Sequence, residues 1–267
     1  LTNTDIVEEY TINVKRGVYI RNLTAKQIEG YTFVGFYKDA NLTQPYGEND
    51  KVSKNMQIYA KYEINIYSLK FPTSPAFTIE GEAIEGNQVN IEYNTEYQFK
   101  INLNAGYTES EITVKANGEI IEADSNGYYT LTVKDDIVIE VEGVAINTYT
   151  ITFYDETGET IYKIEEVEYN QDSTYKEIPT KHSTPTYNYT FAGWVDREGK
   201  PVDLTNIIVD KDVYASFTEE YIEYRINKIP SQVVIKNSEG IELTGSNTLH
   251  YGDIVEITYN VTEGHNV

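Results

Sequence analysis

Cysteine does not occur in the 267 residues, which excludes disulfide staples, thiolate nucleophiles and cysteine-type zinc sites and leaves the redox compartment unread. Basic residues are scarce, with 21 Lys plus Arg against 43 Asp plus Glu and a formal net charge of −22. Binding to a phosphate backbone needs clustered cations that displace counterions, and no Lys/Arg run exists here, so nucleic acid is excluded as a partner. No apolar run approaches the ~18 residues of a membrane-spanning helix, so no membrane insertion is expected. Residues 1–10 (LTNTDIVEEY) lack the basic start and apolar centre of a signal peptide. There is no Gly-x-Ser-x-Gly elbow and no glycine-rich phosphate loop; Glu239-Gly240 and Thr244-Gly245 are isolated turn signals. The three histidines, His182, His250 and His265, lie far apart in the chain.

What the sequence has instead is tyrosine, 25 residues of it, together with many Thr, Ile and Val. That mixture favours pleated, half-buried strands. An internal repeat organises them. Tyr31-Thr32-Phe33-Val34-Gly35-Phe36 recurs as Tyr189-Thr190-Phe191-Ala192-Gly193-Trp194, and Ile58-Tyr59-Ala60-Lys61-Tyr62 recurs as Val213-Tyr214-Ala215-Ser216-Phe217. The second match is three residues closer than the first, which places a length difference in the intervening surface loop. A further element repeats as well: Phe71-Pro72, Tyr93, Asn102 and Gly106 answer Ile229-Pro230, Tyr251, Asn260 and Gly264. The chain therefore reads as two alternating modules, A-B-A-B, with boundaries at 1–62, 63–146, 147–219 and 220–267. Aligned this way, the first A module lacks the opening strand of the second, and the last B module stops before its counterpart does. Both ends are expected to be cuts in a longer repeat protein.

Short runs such as Tyr128–Val133 and Ile137–Val141, separated by Lys134-Asp135-Asp136, read as strands joined in a hairpin. Asn117-Gly118 marks a two-residue hairpin turn between Ile112–Val114 and Ile120-Ile121. Tyr149–Phe153, an Asp155–Gly158 turn and a return over 161–169 form another. Only Leu23–Gly30 carries helix signals, with Thr24 as N-cap, Gln27 three residues on and Gly30 as the stop. Modules of this size have small cores, and large aromatic side chains are the available compensation, each burying ~150–250 Å². The repeated residues Tyr31, Phe33, Gly35, Phe36, Tyr59 and Tyr62, with Tyr189, Phe191, Gly193, Trp194, Tyr214 and Phe217, are accordingly read as a structural motif and not as a ligand site.

Those residues carry a family resemblance. Tyr149–Phe153, Tyr189–Trp194 and Tyr214–Phe217 resemble the opening, middle and closing segments of the Listeria-Bacteroides repeat, also described as the internalin B-repeat type; Tyr31–Phe36 and Tyr59–Tyr62 resemble the last two of these. Residues about 10–62 and 149–217 are covered. The resemblance implies β-grasp-like modules in a secreted, multi-domain bacterial surface protein, with no catalytic residues to carry over. The B modules resemble all-β segments that accompany such repeats, so the fold class expected is mainly β, with β-grasp-like repeats alternating with β-sandwich-like units. No Leu-Pro-x-Thr-Gly sorting signal occurs, which leaves any anchor outside the segment.

Adjacent acids such as Glu165-Glu166 and Asp135-Asp136 read as solvated or turn-forming charges against the acidic background. Calcium is the one cofactor weighed: Asp210-Lys211-Asp212 and Asp155–Glu159 offer oxygen ligands, without the spacing of an EF-hand loop. Lys15 and Lys61, placed on strands with their side chains on the wet face, argue against an isopeptide crosslink. The function expected is a non-catalytic stalk or spacer on the bacterial surface, whose partners are neighbouring modules and a host protein or glycan. The alternative is a carbohydrate- or protein-binding module, which requires unmatched tyrosines such as Tyr46, Tyr187 and Tyr221 to share one exposed face.

Overall fold

Sixteen strands and one 3₁₀ turn at Ala105–Tyr107 make up the regular structure of the residues described, 11–226, 229–244 and 247–259 of this computed structural model. The chain divides into two compact units, Leu1–Asn147 and Thr148–Val267.

In the first unit, β1 (Tyr31–Tyr37) and β2 (Tyr59–Ile64) form an antiparallel hairpin. Eight further strands follow: β3 (Ile66–Lys70), β4 (Phe77–Gly81), β5 (Gln88–Glu92), β6 (Thr95–Leu103), β7 (Thr113–Ala116), β8 (Glu119–Ile121), β9 (Tyr128–Val133) and β10 (Ile137–Glu142). They assemble a five-stranded sheet in the order β5-β3-β10-β7-β8 and a three-stranded sheet in the order β4-β6-β9. Both sheets contribute to one core, with Leu69, Val89, Ile91, Val114 and Ile139 from the first and Phe99, Tyr129 and Val133 from the second. Phe99 is fully buried, with Phe71 edge-on at 5.1 Å and Tyr129 stacked at 5.3 Å. The alternation of buried and exposed residues along β5, β9 and β10 is the two-residue strand period expressed as one inward face.

The second unit opens on β11 (Thr148–Tyr154) and β12 (Ile161–Glu168), followed by β13 (Tyr187–Val195) and β14 (Lys211–Tyr221). Their sheet has the order β12-β11-β14-β13, with β11 and β14 parallel and the other pairs antiparallel. Ile151, Phe153 and Val213 point to one face of it and are fully buried there with Ile207 from the long β13–β14 connection. Irregular chain from the β13–β14 connection thus contributes to this core. A last hairpin pairs β15 (Val233–Asn237) with β16 (Val255–Tyr259).

Three local expectations are corrected. Leu23–Gly30 has no helix: the segment is extended coil ending in a turn at Gly30. A pattern of eight residues with good caps is still shorter than a self-supporting helix, and no buried apolar face offsets the cost of nucleation. The residues Lys134-Asp135-Asp136 do reverse the chain, but β9 and β10 do not pair; they belong to opposite sheets, so the turn carries the chain across the core. Lys15 is exposed and lies outside any strand, whereas Lys61 lies on β2 and pairs with Glu63 at 3.0 Å. By contrast, Asn117-Gly118 joins β7 to β8 with both residues at positive φ, 49° and 83°, as a tight hairpin turn demands. The β11–β12 hairpin forms over 148–168 as read. The repeat matches at Asn260 and Gly264, and His265, lie outside the described residues.

Candidate functional site

The repeated motif is built twice in the same way. Phe33 faces Tyr62 across β1 and β2, and Phe191 faces Phe217 across β13 and β14. Each register then slips by one residue, at Val34 and at Ala192, before pairing resumes at Gly35 and Gly193. On a regular strand, residues three apart point to opposite faces. The bulge adds the residue that turns the following side chain back to the same face. Phe33 and Phe36 consequently meet at 4.9 Å, and Phe191 and Trp194 at 5.3 Å. Gly193 takes φ +139° at this point, a conformation that side chains rarely adopt. The cross-strand rings sit at 5.5 Å for Phe33–Tyr62 and 5.9 Å for Phe191–Phe217, both edge-to-face.

The surroundings differ between copies. Trp194 is half-buried and packs on Phe153 at 4.9 Å and on Tyr175 at 6.0 Å. Phe33 remains 38% exposed. Tyr62 donates its hydroxyl to the Lys26 carbonyl at 2.6 Å, and Tyr59 donates to Gln57 at 2.6 Å. Tyr31 pairs with Ile64, Tyr189 with Glu219. Tyr214 stacks on Tyr154 at 5.1 Å and accepts hydrogen bonds from Arg197 Nε and Nη2 at 3.2 and 3.0 Å.

Two shallow clefts lie on the second unit. The larger, about 580 Å³, is lined among others by Glu156, Asp196, Arg197, Tyr214 and Phe217. The smaller, about 490 Å³, is lined by Asn188, Glu220, Tyr221, Ile222 and Glu223. Beside it stands an aromatic cluster: Tyr221 contacts Tyr187 at 4.5 Å and His250 at 5.4 Å, and Tyr187 contacts Tyr189 at 6.3 Å. The hydrogen bond with Tyr221 pushes the Tyr187 phenol up to about 12. Two of the three unmatched tyrosines therefore meet, with Tyr221 57% exposed. Tyr46 belongs to the first unit, half-buried, its hydroxyl directed to the Ile20 carbonyl.

The acids take individual structural places. Glu165 and Glu166 point to opposite faces of β12. Glu165 is nearly buried, and its carboxylate accepts the hydroxyls of Ser173 and Thr174 and the Thr174 amide. Burial alone would raise its pKa, but these bonds outweigh burial and hold it below the ordinary value. Asp155 Oδ1 accepts the amides of Thr157, Gly158 and Glu159 at the β11–β12 turn. Its desolvation is likewise overcome by hydrogen bonds, which take its pKa down to about 2. Among the described residues no group of three or more His, Asp or Glu converges in a metal-binding arrangement.

Four residues have structural roles that the sequence reading did not assign. Asn65 alone separates β2 from β3. Its amide donates to the Gly30 carbonyl at 2.8 Å, its carbonyl accepts the Tyr93 amide at 2.9 Å, its Oδ1 accepts Thr32 Oγ1 at 2.6 Å, and its Nδ2 reaches the Tyr67 hydroxyl at 3.3 Å. Asn147, directly before β11, is buried and bound in the same manner to Gly106, Thr108 and Glu109. Asp136 accepts the Ser68 amide at 2.7 Å and the Ser68 hydroxyl at 3.0 Å, which holds its carboxyl below the usual range. Asp210 accepts the Thr150 amide at 2.8 Å. The available signal was positional: an Asn before the first strand of a module and an Asp just ahead of the last.

Residues 2–61 and 149–216 match the model of the Listeria-Bacteroides repeat domain. Two curated relatives come from Evansella cellulosilytica. One, named as a candidate membrane protein, is 27% identical over 181 residues, covering 67% of this chain and 24% of the relative. The other, named as a candidate glycine-rich membrane protein, is 26% identical over 216 residues, covering 77% of this chain and 22% of the relative. The chain spans about a quarter of the length of these relatives.

Proposed function

Because this chain carries two copies of the Listeria-Bacteroides repeat domain, at residues 2–61 and 149–216, we propose that it is a non-catalytic spacer segment of a bacterial surface protein. In this reading it holds a neighbouring domain of the same longer chain at a distance from the envelope, outside the cell. The finer fold reading belongs here too. The order second-first-fourth-third in the sheet of 148–221, with its two central strands parallel, supports a β-grasp-like module. The two sheets around one core at 66–142 support a β-sandwich-like one.

The observation that carries the spacer reading is the joint at Asn65. A spacer needs connections that do not swivel, and here one residue between two strands is hydrogen-bonded to both sides through its backbone and its side chain. Gly30 adds to the fit: it takes φ +78°, and a Cβ there would overlap the Tyr93 ring.

Because cysteine is absent, spin labels can be placed on Glu48→Cys and Glu119→Cys, both on exposed residues of the first unit. The expected result is one narrow inter-label distance distribution that broadens in Gly30→Ala and in Asn65→Gly. A broad distribution in the parent chain would defeat the proposal. In the native host, exchanging the segment for a Gly/Ser linker of equal residue number should reduce antibody access to an epitope placed on the far side.

A second reading is favoured by the Tyr187–Tyr221–His250 cluster, an exposed platform suited to stacking on a sugar ring or a partner surface. Binding to a glycan or host-protein array that is lost in Tyr221→Ala would establish it.

A further inference from the structure

We propose that the modules at 66–142 and 148–221 are mechanical elements, built so that tension along the chain is resisted by hydrogen bonds in shear. In both, the first strand and the last strand are parallel, adjacent and directly paired. In the second unit, Ile151, Thr152, Phe153 and Tyr154 of β11 pair with Lys211, Asp212, Val213 and Tyr214 of β14. In the first, Leu69 and Lys70 of β3 pair with Ile137 and Val138 of β10. Parallel neighbours have their starts at one end and their finishes at the other. A pull that enters at the start of the first strand and leaves at the finish of the last therefore drags the two strands past each other. All the bonds between them are loaded at once. Antiparallel hairpin strands pulled from their shared end instead unzip, each hydrogen-bonded pair opening in turn.

The same device recurs at the point where force enters. Asp136 stands immediately before β10 and accepts the Ser68 amide on β3; Asp210 stands immediately before β14 and accepts the Thr150 amide on β11. Each Asp extends the parallel ladder toward the loaded end of the first strand with a charge-assisted bond. Two modules of different topology thus share one solution. With four paired positions against two, the module at 148–221 is the stronger of the pair.

The proposal draws its biological sense from the spacer reading, but the mechanics can be tested separately. The full chain, with one cysteine added at each end as a handle, is stretched in an optical trap or force microscope. Two main rupture events are expected, each releasing about 25 nm of chain, the length of either module at ~3.4 Å per residue. Moving the handles to Thr148→Cys and Glu168→Cys, paired residues at one end of an antiparallel pair, should lower the rupture force of the second unit severalfold. Asp210→Ala should lower the terminal-pull force, whereas Asp155→Ala, at the β11–β12 turn, should leave it unchanged. Equal forces in the two pulling directions, or an Asp210→Ala chain as strong as the parent, would overturn the proposal. If the modules rupture weakly while the Gly/Ser exchange still shortens the reach of the epitope, the spacer reading stands and the mechanical role falls. If they rupture strongly and the epitope is unaffected, the mechanical role stands and the spacer reading falls.

Discussion

Glu165 shows how a single side chain can tie an irregular layer to a sheet. It sits on β12 facing the core, where a charged group is costly unless fully hydrogen-bonded. Ser173 and Thr174, from the coil after β12, supply those bonds and so fix that coil over the sheet. Its folded pKa lies below its ordinary value. The stability it contributes is therefore present above about pH 4.5 and is lost as pH falls through the depressed folded value. Urea unfolding of the second unit, followed by tryptophan fluorescence, should show this loss as pH falls from about 4.5 through the depressed folded value. In Glu165→Gln the acid-sensitive component should shrink, with a fall in stability of about 1–3 kcal/mol near neutrality as donors lose a charged acceptor. None of this was legible in the sequence, where Glu165-Glu166 stands as one more acidic pair; only the strand period, once its phase is known, separates the buried member from the wet one.

At the scale of the element, the bulge explains why the motif has its spacing. Aromatic-x-Gly-aromatic is unreadable as a plain strand because it sets two large rings on opposite faces. With the extra residue, Phe191 and Trp194 join Phe153 and Tyr175 in one aromatic group. Trp194→Ala should cost about 3 kcal/mol, whereas deleting Ala192 should cost less, because Phe191, Gly193 and Trp194 then run in regular register opposite Phe217, Ser216 and Ala215 and both rings stay on one face. Phe36→Ala should cost less, since its copy buries little beyond Val52 among the described hydrophobic residues before β3. Calorimetry or urea titration of the three variants would check the ranking, and an Ala192 deletion as costly as Trp194→Ala would contradict the bulge account. The repeat itself and the turns at Asn117-Gly118 and Asp155–Gly158 were readable because local chemistry decides them. Strand partners were not: Lys134–Asp136 reveals that the chain reverses, but which sheet receives β10 is settled by Leu69, Val114 and Ile139, residues far apart in sequence that pack in one core.

For the whole molecule, two units with separate cores imply separate unfolding. The single tryptophan lies in the second unit, so its emission should follow that unit alone, while far-ultraviolet circular dichroism follows both. The two urea curves are expected not to coincide; superimposable curves would show the units to be coupled. With a net charge of −22, both curves should move to higher urea as salt is raised from low ionic strength, through screening of self-repulsion. Acidity, the absence of basic clusters and the β character were legible at this scale from composition. Which strands share each core was not, because that depends on residues far apart in the sequence.

The parallel pairing of β11 and β14 has one more consequence. The chain enters the module at one pole and departs from the opposite one, so some seventy residues advance the backbone by little more than the rise of β14, ~35 Å for its 11 residues. Measured per residue this is a short step, well under that of a helix. Such a segment gains girth and gives up length, and a longer protein using it would extend its reach by adding whole modules rather than by lengthening any loop.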